Sequence, residues 1–343
     1  STDDIADAVG QMIPAADSGA MNASFAFMDQ SAQTVVRRLS EVRGTHVAAR
    51  SGISTGNGAD KNRIWVSGFG EFMDQDKRNG VNGYEASVWG TILGYDRDIT
   101  EMLTIGMGTG FSQALVDSQT ASINNTYINS YQGLLYGMYA NGPWRTKGLF
   151  SMALNTYDGG RDINFGGVNR HAQSEFDGSQ WGLYMECGYD IKNGRFTVTP
   201  LTSLQYSHLY IDNYMETGAG ALNLDVAHQD YDQFEQGWGC EMAMDMDILG
   251  KDQKEKAGML TSKVHCILYH EYVGDQQETY SNFTGGGPSF ATNGFEPAQT
   301  SFNTGCEFNF DNTKGVNLKG NYDFEVKEHF YGHFGSITVS IDF

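Results

Sequence analysis

From Arg63 to Phe343 the chain alternates, position by position, between bulky apolar side chains and small or charged ones. Between Ser179 and Asp190 one parity carries Trp181, Leu183, Met185, Cys187 and Tyr189, and the other Gly182, Tyr184, Glu186, Gly188 and Asp190. Phe234 to Ile248 sets Trp238, Cys240, Met242, Met244, Met246 and Ile248 against Glu235, Gly237, Gly239, Glu241, Asp245 and Asp247. Val316 to Val326 sets Leu318, Tyr322 and Phe324 against Asn317, Lys319, Asn321, Asp323 and Glu325. A period of two puts successive side chains on opposite faces, so these segments predict half-buried β-strands. The chain before them reads differently. Ala20, Ala23, Ala26, Val35 and Leu39 suit a helix from Ser18 to Arg43, with no proline inside it and Gly44 placed to stop it. Arg50 to Ala59 has the composition of a flexible linker. The expected division is an extension over residues 1–60, with the helix at about 18–43, followed by a strand domain over 61–343.

Alternation alone suits a soluble sandwich and a barrel equally, so the connections must discriminate. Short turns are expected at Asp96–Asp98, Asn141–Pro143, Lys192–Gly194 and Asp311–Gly315, with a longer charged one at Gly250–Ala257. Between them fall long Gly/Asn/Ser-rich loops near 114–126, 159–175, 212–232 and 273–297. Short turns at one end and long loops at the other are the pattern of a transmembrane barrel. The connections separate about twelve strands, an even number that leaves both barrel ends on one side. The sequence closes on Ile337, Val339, Ile341 and Phe343 at alternate positions. A last strand of this kind must close the sheet and remove its edge. The predicted fold is therefore all-β, an antiparallel transmembrane β-barrel of about twelve strands.

Charge and composition fit. The balance of 42 acidic against 22 basic residues, a net charge of −20, argues against nucleic acid as a partner, since a phosphate backbone is bound through Lys and Arg clusters. The chain holds 43 glycines, 20 phenylalanines and 18 tyrosines beside 5 prolines, favouring aromatic strands joined by tight turns. Mean hydropathy is −0.42, and no apolar run approaches the roughly 20 residues of a membrane helix. A barrel needs none, because its strands alternate between lipid and water. Ser1-Thr2-Asp3-Asp4 does not read as a signal peptide, so a mature or trimmed chain is expected.

Cys187, Cys240, Cys266 and Cys306 all fall on the apolar parity and lack zinc-site spacing, which favours buried or lipid-facing thiols. A Cys240–Cys266 bridge across the Gly250–Ala257 turn would require one particular register. There is no Gly-x-Ser-x-Gly elbow and no His-Glu-x-x-His. His270-Glu271 and His228 near Asp230 read as structural pairs. The expectation is a protein that is not an enzyme and carries no cofactor or metal.

Candidate chemistry lies inside the barrel. The helix ends in a basic cluster of Arg37, Arg38 and Arg43. If the polar parity faces the lumen, Glu186, Glu235, Glu241, Asp245, Asp247, Glu307, Asp323 and Glu325 form an acidic wall that would attract it as a plug. The alternative is that the arginines solvate a helix end outside the pore. Gly106, Gly108 and Gly110 share one parity of Leu103–Phe111 and would let a helix backbone approach. Tyr95, Trp144, Tyr189, Tyr210, Tyr272, Phe310 and Phe343 sit near strand ends and suit interfacial girdles.

Behind the linker helix, in order, come Ile64-Trp65-Val66-Ser67-Gly68-Phe69-Gly70, Ile92-Leu93-Gly94-Tyr95-Asp96 and the Leu201–Leu209 strand after Pro200. Tyr269-His270-Glu271-Tyr272, the Phe283–Phe290 loop and Phe343 follow. In this order and spacing the chain resembles the autotransporter β-domain over nearly its whole length, from about Ser18. The resemblance implies a twelve-stranded barrel with the N-terminal helix in its lumen, and a passenger segment joined upstream, as in type V secretion. It also implies the outer membrane of a Gram-negative bacterium, with its lipid and lipopolysaccharide, and insertion by the barrel assembly machinery with periplasmic chaperones. Ile337, Val339, Ile341 and Phe343 would be the terminal assembly signal. The function so implied is export or display of the passenger, the barrel then remaining as a helix-plugged pore. The rival is a barrel without a passenger, acting as a structural or adhesive surface protein or as a subunit of an outer-membrane complex. Two features depart from the pattern: no passenger stands before Ser1, and the four cysteines exceed it.

Overall fold

The structure, a computed structural model, describes residues 8–14, 18–49, 62–119, 124–249, 256–273, 278–312 and 315–343. Twelve long strands form the barrel. They are β1 (Asn62–Gln75), β2 (Tyr84–Asp98), β3 (Leu103–Ser118), β4 (Asn124–Asn141), β5 (Trp144–Phe165), β6 (Val168–Tyr189), β7 (Phe196–Ile211), β8 (Gln229–Leu249), β9 (Lys256–Glu271), β10 (Thr300–Asn312), β11 (Val316–Lys327) and β12 (Phe330–Asp342). Each pairs antiparallel with its sequence neighbours, and β12 returns to β1 in the register Ile64↔Ile341 to Gln75↔Phe330. That seam closes the ring and leaves no sheet edge. A short strand, Ile191–Asn193, pairs with the start of β7. Asn62 and Asp342 lie together, and the end that carries them is called the near end below.

The alternation read from the sequence is the alternation of the two faces. Outward positions are apolar and open, as at Met107, Leu154, Met185 and Ile337, the last 64% exposed. Inward positions are small or polar and buried, as at Ser67, Ser151, Ser203, Lys147 and Glu186. An exterior this apolar is unsuited to water and suited to lipid.

The connections differ from the expectation in three places. Asp96-Arg97-Asp98 is the end of β2 with Asp96 and Asp98 turned inward, and the turn falls at 99–102. The loop expected near 114–126 is mostly paired strand, its residues 120–123 lying outside the described set. The loop expected at 159–175 is a β-hairpin, because β5 and β6 stay in register to Phe165↔Val168 and turn on Gly166 and Gly167 at φ 55° and 85°. Two left-handed residues make the tight turn that matches strand twist. At ~3.3 Å per residue, the 22 residues of each strand extend well beyond a hydrocarbon core of about 30 Å, even when tilted. Residues within 212–232 and 273–297 supply a second, four-stranded sheet at the far end, built from Tyr214–Met215, Leu224–Val226, Glu278–Phe283 and Phe290–Asn293.

The helix, α1, spans Gly19–Ala49, so it begins where expected and runs through Gly44 rather than stopping there. The linker at Arg50–Ala59 lies outside the described residues. Met21, Ala23, Phe25, Ala26, Phe27, Met28, Val35, Val36 and Leu39 are all buried, covering every side of the helix. A helix with buried apolar side chains on every side must be enclosed, and the barrel wall encloses it.

Candidate functional site

The helix is held in the lumen by contacts on opposite walls. On one side Arg37 donates two hydrogen bonds to Asp323 of β11, Nη1 at 2.6 Å and Nη2 at 2.9 Å. His265 Nε2 lies 3.0 Å from the same carboxylate. Across the pore, Lys147 Nζ of β5 donates to Ser40 Oγ at 2.6 Å and pairs with Glu186 Oε1 at 2.8 Å. Nearer the far end Ser24 and Tyr157 share a hydroxyl bond of 2.9 Å, and Asn22 Nδ2 donates to the Tyr84 hydroxyl at 2.9 Å. Gln205 Nε2 donates to Asp29. The apolar side is fixed by shape. Phe27 stacks on Phe69 at 5.9 Å between ring centres.

The glycines admit the helix selectively. A Cβ on Gly110 would stand 3.2 Å from the Phe27 ring, and one on Gly182 only 2.5 Å from Met28 Sδ. Gly106 is covered by the Tyr136 ring, and Gly108 by the β2 backbone and Leu134, so the expected stripe serves the helix at Gly110 alone.

Of the residues expected to attract the helix, Arg37 meets Asp323, while Arg38 Nε lies 3.5 Å from Asp96 Oδ2, a residue read as part of a turn. The side chain of Arg43 lies outside the described residues. All eight expected wall acids keep the inward parity, but the wall is not simply acidic. Glu307 faces Lys263 at 2.9 Å and Lys319 at 3.3 Å. Glu241 takes Arg145, and Glu186 takes Lys147. Asp245 and Asp247 stand exposed at the near mouth, while Glu235 and Glu325 line a far-end cavity. The reason is energetic: a buried carboxylate is tolerated when a cation or hydrogen-bond donors face it.

Sequence reading missed a cluster at the near end. Arg63 Nε donates to Asp96 at 2.5 Å, and its Nη1 donates to Asp98 at 2.8 Å. Thr104 Oγ1 adds a bond to Asp98 at 2.7 Å. The signal was present, since Asp96 and Asp98 continue the polar parity of β2, but the acid pair also resembles a turn.

Ile337, Val339, Ile341 and Phe343 all point outward, the first three along β12. Trp144 and Tyr189 pack edge to face at 4.9 Å on the outer near rim. All four cysteines are free thiols; Cys240 and Cys266 face each other in the β8–β9 register without a bond between them. His228 and Asp230 are both exposed, 3.8 Å apart, and His270 packs edge-on to Tyr272 at 4.7 Å. No group of three or more His, Cys, Asp or Glu among the described residues could hold a metal ion.

An apolar exterior, a closed ring and a polar interior filled by the chain's own helix define a transmembrane β-barrel whose lumen is occupied. The family model for the autotransporter beta-domain matches residues 64–323, and the chain belongs to this family. Its fold is similar to the translocator domain of autotransporter NalP from Neisseria meningitidis, with a TM-score of 0.65 at 16% identity over 92% of this chain and 97% of that one. It is also similar to the beta domain of the Bordetella autotransporter BrkA, with a TM-score of 0.54 at 13% identity over 81% and 98% of the two chains. Outer membrane protein B of Rickettsia prowazekii (strain Madrid E) is 24% identical over 319 residues, covering 90% of this chain. The match spans 19% of that protein's own length. The chain is thus an outer-membrane barrel of the type V secretion family, a transport-pore fold of Gram-negative bacteria.

Proposed function

We propose that this barrel carries an N-terminal passenger to the cell surface and then remains in the outer membrane as a pore plugged by its own helix. The observation that supports this most directly is the direction of the helix. Asn22 and Ser24 bond to residues of the far half, while Arg38 and Ser40 meet Asp96 and Lys147 at the near end. The segment before the helix continues outward, for the Gln11 carbonyl accepts from Arg161 Nη1 of the β5 extension at 2.5 Å. Anything joined upstream would therefore lie beyond the far end, and in this reading the far end is extracellular. Both barrel termini are then periplasmic. Domain roles follow: residues 1–60 hold the passenger junction, plug helix and linker, and 61–343 the translocator.

In the same reading Arg37, Arg38 and Arg43 orient the plug, and Asp323 and Asp96 receive the first two. Ile337, Val339, Ile341 and Phe343 present an outward edge to the barrel assembly machinery before β12 closes on β1, after delivery by periplasmic chaperones. The long relative suits a passenger, because four-fifths of its length lies outside the match.

The test is an epitope fused before Ser1 in cells, read by antibody and by external protease. Surface exposure that is lost on deleting β12 supports export through the barrel. An epitope retained in the periplasm beside a folded barrel favours a passenger-less structural or adhesive surface barrel. Conductance in planar bilayers tests the plug: the full chain should be nearly silent, and a chain lacking residues 1–60 should open widely.

A further inference from the structure

Between the helix and the far half of the wall lies a cavity of about 360 Å³. Asp29 of the helix, Glu71 of β1, Glu235 of β8, Glu271 of β9 and Glu325 of β11 all line it. Two of the cations nearby are engaged with other acids, and the third pairs with Glu325. Arg37 is bound to Asp323, Arg78 lies 2.6 Å from Glu328, and Lys327 Nζ lies 3.6 Å from Glu325. The acids are too many for the one lysine that remains among them.

Two observations mark the surplus as a site rather than a solvated patch. Glu71 is only 4% exposed; Gln30 bonds to its carboxyl, but among the described residues its buried Oε2 has no hydrogen-bond partner. Glu235 and Glu271 are direct cross-strand partners on the inward face. Like charges so placed repel unless something positive lies between them or one carboxyl takes up a proton. Glu271 is held by the backbone N–H groups of Phe234 at 2.9 Å and Val273 at 2.8 Å, which stabilise its carboxylate in place. Gly332 pairs with Glu325 of β11 and Met73 of β1, and a Cβ there would stand 3.4 Å from the Phe330 ring and 3.7 Å from Glu71 Oε1.

The distribution of charge indicates the ligand. No three of these acids converge on a point where one metal ion could take them together, among the described residues. Met21, Phe25, Met73, Phe330 and Phe334 line the space beside the carboxylates. Separated anions beside apolar surface match a flexible chain of methylenes carrying separated ammonium groups. We propose that the far-end vestibule binds a linear aliphatic polyamine, its ammonium groups on Glu71 and on the Glu235–Glu271 pair and its methylenes against the phenylalanines.

The experiment is titration calorimetry of the detergent-solubilised full chain with spermidine. Glu71→Gln/Glu235→Gln is compared with Asp245→Asn/Asp247→Asn, which removes equal charge at the opposite mouth. Folding of each variant is checked by heat-modifiable migration on gels. Saturable 1:1 binding is expected, weakened at least about tenfold by the vestibule variant and little changed by the mouth variant. Absence of saturable heat, or equal weakening by both variants, overturns the site. Tighter binding of calcium chloride at equal ionic strength would make it a metal site instead. Tighter binding of trilysine would reassign it to a peptide segment.

Discussion

Arg37 on the helix and Asp323 on β11 form a two-pronged ion pair deep in the lumen, directly across the ring from Lys147 on β5, which reaches Ser40 of the same helix. The helix is therefore tied to opposing walls at nearly one level. Arg37→Ala leaves Asp323 buried with His265 and Asn321 as its remaining polar partners among the described residues. Breaking one side of such a pair costs about 3–5 kcal/mol. The variant should show frequent channel openings in planar bilayers where the parent chain is quiet. Arg37→Ala/Asp323→Ala should recover part of the quiet state, because the uncompensated charge is gone. A single variant as silent as the parent would mean that shape, not this pair, seats the helix.

A second prediction concerns two rings folded over two glycines. Trp65 of β1 lies over Gly94 of β2, where a Cβ would stand 2.3 Å from the indole, and Tyr136 of β4 lies over Gly106 of β3 at 2.2 Å. The rings meet through Trp65 Nε1 donating to the Tyr136 hydroxyl at 2.9 Å. Gly94→Val or Gly106→Val should displace a ring and break that bond, costing at least about 2 kcal/mol. Urea unfolding followed by tryptophan fluorescence should show a lower midpoint. Gly133→Val, where a Cβ meets nothing within 4 Å, is the control expected to behave as the parent.

These two sites show how far the sequence could be read. Period-two alternation identified the faces of β6, β8 and β11, because lipid outside and packed polar groups inside impose opposite demands on adjacent residues. It also gave Arg37 a place to go. It could not pair Arg38 with Asp96, since partners across a lumen are set by barrel diameter and strand stagger, which alternation does not encode. Nor could it show that Lys147, Lys263 and Lys319 neutralise the wall, because counting acids on one strand ignores the bases on the next. The hairpin at 159–175 was hidden by its Gly- and Asn-rich composition. Polar residues on both faces are what a strand carries once it leaves the lipid, and there composition no longer separates strand from loop.

A charge on the outer face tests the membrane itself. Ile337 is 64% exposed on β12, paired with Gly68 of β1 and Gly320 of β11. Ile337→Lys should lower stability in lipid vesicles by roughly 2–4 kcal/mol if the site lies near the midplane. In detergent micelles, where water reaches the side chain more readily, the loss should be smaller. Equal small losses in both would argue that this face does not meet hydrocarbon.

The last prediction separates the far-end sheet from the barrel beneath it. Arg161 lies 4% exposed on the β5 extension. Its Nε and Nη2 hold the two Glu216 oxygens at 3.1 and 2.5 Å, and its Nη1 holds the Gln11 carbonyl. Glu216 in turn accepts the Leu224 N–H at 2.8 Å, and so joins two of the sheet's strands. Gln11 Oε1 accepts from the Asn164 backbone at 2.7 Å. One guanidinium thus ties together the long hairpin, the small sheet and the segment leading into the helix. Arg161→Ala strands a buried carboxylate, a loss of about 3–5 kcal/mol confined to these elements. The stack of Tyr157, Phe176 and Tyr214, at 4.8 and 4.1 Å between centres, should hold the sheet only partly in its absence. Limited proteolysis should then cut near residues 8–14 and 212–228 while the barrel stays heat-modifiable. Arg161→Lys keeps the charge but not the fork and should fall between the two. Cleavage unchanged from the parent would show that the aromatic stack alone anchors the sheet. Cleavage inside the barrel strands would show that the far-end sheet and the barrel fold as one cooperative unit.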